Sequence, residues 1–209
     1  MAVVITVAQQ KGGTGKTTLV ANLAAALAPS RRVAVLDIDP QKSLTRWHEL
    51  RQARIEGASA ISFHNISGWR LAAELDRLRR SHDIVLIDTP PQIATDARLA
   101  VRGADIVLVP VQPSPPDVWA AEGTLQLAAA ESRTAHIMLN RAPTASRLRE
   151  RVEADLAARH LPLLRAVLGN RIGFASAFAE GLGVTEAAPR STAAAELRAL
   201  LAELLEIVR

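Results

Sequence analysis

The sequence has no cysteine and no tyrosine, and only three tryptophans and three phenylalanines among 209 residues. Without cysteine there can be no disulfide, no thiolate-held iron–sulfur cluster and no cysteine-based zinc site. Aromatics make up 3% of the chain, too few to supply the stacking platforms on which single-stranded nucleic acid is held. No apolar run approaches the ~18 residues that a membrane-crossing helix needs. The N-terminus enters an apolar strand pattern directly, without the basic and apolar segments of a secretory signal, so a cytoplasmic protein is expected. Lysine is also scarce: 22 of the 25 basic residues are arginine.

What is present is an apolar, folded chain. Hydrophobic residues are 49% of the sequence, and its length suits a single α/β domain spanning 1–209. Apolar runs of strand length recur at Val3 to Val7, Val33 to Leu36, Ile61 to Phe63, Ile84 to Ile87, Ala104 to Val109 and Ala135 to Leu139. Helical patterns stand between them at Leu19 to Ala28, around Trp47, Leu50 and Ile55, and at Trp69 to Arg80, Val118 to Ala130, Ser146 to His160 and Ala193 to Val208. The helix around Trp47 reads as a solvated surface element, and Pro110 to Pro116 as a stiff loop. Strands alternating with helices imply one doubly wound, mostly parallel sheet flanked by helices.

The stretch that organises the rest is Gln9 to Thr18, QQKGGTGKTT, between the first strand and the first helix. A strand, a glycine-rich turn and a helix in that order place backbone N–H groups around an anion, the P-loop arrangement for nucleotide phosphates. Its cofactor-binding residues are Gly12, Gly13, Thr14, Gly15, Lys16, Thr17 and Thr18. Lys16 can reach the β- and γ-phosphates, and the Thr17 hydroxyl is placed for Mg²⁺. The usual G-x-x-x-x-G-K-[ST] spacing would require glycine at position 10, where this chain has Gln10; the pattern met is K-G-G-x-G-K-[ST], with Lys11 at its front.

With that front lysine the sequence resembles the deviant Walker A ATPases, the family of ParA-type partition proteins and MinD, and is most similar to small ParA-type members lacking an N-terminal DNA-binding domain. The absence of cysteine sets it apart from the nitrogenase iron protein on the same scaffold. The resemblance implies that Lys11 reaches across an ATP-bound homodimer to the partner's nucleotide. VAVLDIDPQKS, ending the second strand, resembles the family's second nucleotide motif. There Asp39 is implied to orient the attacking water, the alternative being a cap for the helix beginning near Lys42. Asp37 and Asp39, spaced i, i+2 at a strand end, are expected to face the crevice together.

Asp88 ends the fourth apolar run and reads as a Walker B carboxylate holding Mg²⁺ beside Thr17; the plainer reading is a cap for the turn at Pro90. DTPP resembles the family's second switch, and VPVQPSPPDVWAA its loop near the dimer face, which makes Asp117 and Trp119 interface candidates. Glu180 to Glu186 resembles a late loop of the family. Asn140, at a strand end, can read adenine or simply form a turn.

Between Arg141 and Arg171 lie seven arginines against Glu150, Glu153 and Asp155, a net of +4 that equals the excess of the whole chain. Such a face is the footprint of nonspecific DNA binding, with Arg147, Arg149 and Arg171 as contacts; paired with Glu150 and Asp155 it would be a solvated surface. The resemblance implies a ParA-type ATPase cycle with ATP and Mg²⁺ as cofactors. ATP-bound homodimers would hold DNA at the nucleoid, and a ParB-like or other cargo adaptor would stimulate hydrolysis. A MinD-like membrane cycle would need a basic C-terminal helix. Here Leu197, Leu200, Leu201, Leu204 and Ile207 share a face, but Glu196, Glu203 and Glu206 outnumber Arg198 and Arg209, so membrane binding is not expected. An ATP-dependent metabolic synthetase would need a second substrate pocket.

Overall fold

The computed structural model describes residues 1–55, 61–91, 95–144 and 146–208; Arg209 lies outside them. Among the described residues seven parallel strands form one sheet: β1 (Val3–Val7), β2 (Val33–Asp37), β3 (Ile61–Asn65), β4 (Ile84–Asp88), β5 (Ile106–Val111), β6 (Thr134–Ala142) and β7 (Leu163–Gly169), in the order β3-β2-β4-β1-β5-β6-β7. β2, β4 and β5 are buried along their whole length, which is why they read as unbroken apolar runs: a parallel sheet is covered on both faces.

One face is covered by α1 (Lys16–Leu27), α2 (Ser43–Arg54), α7 (Ile172–Ala179), α8 (Val184–Ala187) and α9 (Thr192–Ile207). The other is covered by α3 (Leu71–Ser81), α4 (Thr95–Gly103), α5 (Pro115–Ala130) and α6 (Arg147–Ala158). The chain leaves β1 toward β2 and β3, returns to place β4 beside β1, and then builds β5 to β7 on the other flank. That reversal opens a crevice at the carboxyl end of β1, the position where open α/β sheets take ligands.

Several elements differ from the sequence expectation. Pro110 lies inside β5, and Pro115 and Pro116 open α5, where a missing N–H costs nothing; only Gln112 to Ser114 remain as loop. α2 is no solvated surface element: Leu44 and Trp47 are fully buried and Arg51 nearly so, with Trp47 stacked on Phe178. β7, α4 and α7 carried no recognised pattern. In β7 the apolar run is broken by Arg165, whose guanidinium pairs outward with Glu203 of α9, as an edge strand allows. The late loop holds the single turn α8. In α9 most of the apolar face that a membrane would need is spent in the core: Leu197, Leu200 and Leu204 are fully buried and Leu201 nearly so, and only Ile207 at the end of the helix is exposed; each buried leucine is worth about 1.5–3 kcal/mol.

Candidate functional site

The chain arrives at the crevice from β1, turns back through Gln9 to Gly15 and starts α1 at Lys16. Gly13 (φ +78°) and Gly15 (φ +92°) are left-handed. A Cβ on Gly15 would stand 2.6 Å from Asn140 Nδ2, so a side chain is excluded by strain and by space. Two carbonyls of the loop are held from outside it. Asn140 Nδ2 donates to Thr14 O (2.7 Å), while Gln112 Nε2 (3.0 Å) and Arg141 Nη1 (3.2 Å) both donate to Gly13 O. A planar trans peptide whose carbonyl is fixed one way aims the next N–H the other way, and successive N–H groups so aimed make an anion nest.

Two cavities flank Gly15. One, ≈ 300 Å³, is lined by Gly12, Lys16, Thr17, Asp39, Ser43, Pro91 and Phe178 among others. The other, ≈ 180 Å³, lies between α1 and the turn after β7 and is lined by Thr18, Leu19, Asn140, Leu168, Asn170 and Phe174 among others. Lys16 is buried, its Nζ 3.4 Å from Lys11 O. Burial lowers its pKa, against the pull of Asp88 and Asp39.

Asp88, at the end of β4, is completely buried, and among the described residues neither of its carboxylate oxygens has a hydrogen-bond partner. Burial pushes its pKa up to about 8. The Thr17 hydroxyl lies close enough to favour the charged form without completing a hydrogen bond, Asp37 and Asp39 oppose it, and Lys16 assists. An orphaned carboxylate in a buried place is costly unless something else takes its charge. Among the described residues no group of three or more His, Asp or Glu could hold a metal, so a cation here would rest on Asp88, Thr17 and the oxygens of a bound ligand. That sparse set suits Mg²⁺, which binds through few protein groups and phosphate.

Asp37 and Asp39 do not share a task, contrary to the i, i+2 reading. The Asp37 carboxylate turns inward, accepting from Asp39 N (3.1 Å), Thr45 N (2.9 Å) and Thr45 Oγ1 (2.7 Å); Asp39 alone lines the larger cavity. Asp39 does not cap α2 with its side chain, which accepts instead from Gln41 N (2.9 Å). Lys11 is exposed, and its ammonium pairs with Asp117 at the start of α5. Asn140 is engaged on both sides of its amide, its Oδ1 accepting from Arg141 N (3.0 Å), while it lines the smaller cavity.

Residues 5–184 match the CobQ/CobB/MinD/ParA nucleotide binding domain. The chain belongs to this family. Two relatives carry the name maintenance of carboxysome distribution protein A. That of Halothiobacillus neapolitanus is 28% identical over 98% of this chain and 97% of its own length; that of Gloeobacter kilaueensis is 36% identical over 88% and 84%. The MinD of Pyrococcus horikoshii, solved with Mg-ADP, superimposes with a TM-score of 0.82 at 21% identity, covering 100% of this chain and 98% of that one, a likeness of fold.

In this ParA/MinD-family member the arginine window is not one free face. Arg149 pairs with Glu153, Arg159 with Glu122 and Asp155, Arg165 with Glu203 and Glu206, and Arg171 with Glu196. Four of those partners, Glu122, Glu196, Glu203 and Glu206, come from outside the window and offset the local +4. Arg147 and Arg151, one turn apart on α6, are exposed and have no carboxylate partner among the described residues. Arg171 does separate work: with Gly169 N it binds Glu196 (Nη2 2.8 Å, N 3.0 Å) and so fixes the turn beside the smaller cavity.

Sequence reasoning missed Arg141 and Gln112 as supports of the loop and Phe178 as a cavity wall. It also missed the clamp by which Arg51 holds Glu186 at 2.8 and 2.7 Å and Gly181 O at 3.2 Å. None has a local signal, because each partner is remote in the chain.

Proposed function

We propose that the chain is a ParA-type positioning ATPase acting as a single domain. It binds ATP with Mg²⁺ between the P-loop and Asp88, closes on a second copy, holds DNA nonspecifically and lets go when an adaptor on the cargo stimulates hydrolysis. The observation that carries the reading is Asp88: a fully buried carboxylate without a hydrogen-bond partner among the described residues, beside Thr17 and Lys16 and at the open end of a P-loop, is suited to a phosphate-bound cation.

In this reading the loop amides and Lys16 hold the β- and γ-phosphates, and Asn140 and Thr18 serve the nucleoside and α-phosphate end. Mg²⁺, on Thr17 and Asp88, would supply charge neutralisation when bound. Asp39, among the described residues the one carboxylate lining the phosphate cavity, orients the attacking water. Lys11 leaves Asp117 to reach the nucleotide of the partner copy. Positioning and electrostatics suffice for phosphoryl transfer, so few groups are needed. DNA falls to Arg147 and Arg151, since Arg149 and Arg171 are already paired. The names of the two relatives favour a large protein assembly of the carboxysome kind as cargo. A MinD-like membrane cycle draws no support from α9, whose four leucines on the apolar face are packed in the core.

The deciding experiment compares ATP with ADP, each with Mg²⁺, in sedimentation and in DNA retention at moderate salt. Dimer formation and DNA retention with ATP alone are expected. A chain that stays monomeric when saturated with ATP would overturn the reading.

A further inference from the structure

Arg141 belongs by sequence to a basic surface window; its surroundings are those of a ligand-binding residue. It sits at the end of β6 with a left-handed backbone (φ +50°), a conformation that strains a non-glycine residue and persists only where the surroundings hold it. Its Nη1 donates to Gly13 O at 3.2 Å. Unlike its neighbours Arg149, Arg159, Arg165 and Arg171, it has no carboxylate partner among the described residues. It also lines both cavities. The larger one holds Lys16, Thr17 and Asp39, the smaller one the apolar walls Leu19, Leu168 and Phe174. The residues common to both are Gly15, Thr18 and Arg141; the first two belong to the P-loop itself, and Arg141 comes from a strand 128 positions from the carbonyl it binds.

We propose that Arg141 is a nucleotide-binding residue that grips the α-phosphate and ribose edge of the bound nucleotide where it passes from one cavity to the other. A ligand with its base in the smaller cavity and its terminal phosphates in the larger one must cross the seam, and its α-phosphate then lies against Gly15, Thr18 and Arg141. A guanidinium has five donors in a planar fork, of which one is committed to Gly13 O. The fork therefore fixes the loop with one arm and has donors left for phosphate oxygens, a geometry Arg meets better than Lys. The side chain reaches from this left-handed residue to the loop carbonyl. This inference rests on the ATP reading of the P-loop, and deepens it by adding a cation supplied from within the same chain.

The test is nucleotide affinity of the full chain carrying Arg141→Gly, with Mg²⁺ and either ATP or ADP. Glycine accepts the positive φ without strain, so the variant should unfold at the same or a higher temperature than the wild type while lacking the guanidinium. Because the α-phosphate is common to both ligands, ATP and ADP should each bind about 10- to 100-fold more weakly, the worth of a charge-assisted hydrogen bond. Arg141→Lys, which keeps charge without the fork, should recover part of the loss, and DNA retention at saturating ATP should be unchanged. Unaltered affinity of Arg141→Gly for both nucleotides overturns the proposal and leaves the P-loop reading intact; so does a variant that keeps its ATP affinity and loses DNA. A wild type without affinity for Mg-ATP overturns both.

Discussion

Lys11 is neutralised within its own chain by Asp117, a carboxylate 106 positions away and 2% exposed. Ser114 Oγ donates to the same oxygen (2.5 Å) and the other oxygen has no partner among the described residues, so the ammonium is the main compensation for a buried charge. If Lys11 must serve a second copy's nucleotide, that ion pair is the contact to be broken. Asp117→Asn keeps the shape and removes the charge. The ATP-dependent dimer should then form at several-fold lower protein concentration, as measured by sedimentation; a weaker dimer would show that Asp117 favours the closed state instead.

Asp39 lines the phosphate cavity, and among the described residues its carboxylate holds no structural partner beyond Gln41 N. Asp39→Ala should therefore retain ATP binding and dimerisation while phosphate release falls by at least a hundredfold. Lys16→Ala should abolish nucleotide binding altogether. Hydrolysis at the wild-type rate in Asp39→Ala would remove that residue from the mechanism.

Asp88 gives a pH dependence whose sign is opposite to that of a salt-bridged acid. Its folded pKa is raised to about 8, against ~3.9 in an unfolded chain. The folded state therefore retains a proton that the unfolded state has lost, and stability falls as pH rises from about 4 through 8. Asp88→Asn lacks this penalty. Without nucleotide or Mg²⁺, its melting temperature should exceed that of the wild type by several degrees at pH 8.5, with the gap closing near pH 5. Equal melting curves at both pH values would show that Asp88 is already compensated in the free protein.

The Arg51 clamp joins α2, which follows Asp39, to α8 and to the turn before it. Arg51 is 6% exposed, lies 5.5 Å from the Trp47 ring and binds Glu186 with two hydrogen bonds. Arg51→Met should lower unfolding stability in urea by about 2–3 kcal/mol, because it leaves Glu186 half-buried without its partner. Glu186→Gln, which keeps hydrogen-bonding groups, should cost less.

For DNA, the free pair on α6 separates the two readings of the arginine window. Arg147→Ala with Arg151→Ala should weaken retention and reduce the salt slope of log affinity by about 2 for each copy that contacts DNA, about 4 for the dimer, one for each phosphate that is no longer neutralised, with ATP-dependent dimerisation unchanged. Arg149→Ala should have a smaller effect, since its guanidinium is held by Glu153. An unchanged slope in the double variant would assign this face to solvent.

The sequence by itself determined the parallel α/β class, the P-loop at Gly12 to Thr18, and Asp39 and Asp88 as strand-end carboxylates. These are local facts: a strand buried on both faces is an apolar run, and a backbone that wraps an anion needs glycine at fixed steps. Proline in β5 and arginine in β7 blurred the local pattern, and there the element bounds failed. What only the tertiary structure decided is which remote groups meet. The order β3-β2-β4-β1-β5-β6-β7 sets the ends of β1, β5 and β6 side by side, bringing Asp117 to Lys11, and Gln112 and Arg141 to Gly13. It also supplies the glutamates that cancel most of the arginine window. Charge and reach are properties of pairs, and no periodicity along the chain records a partner a hundred residues away.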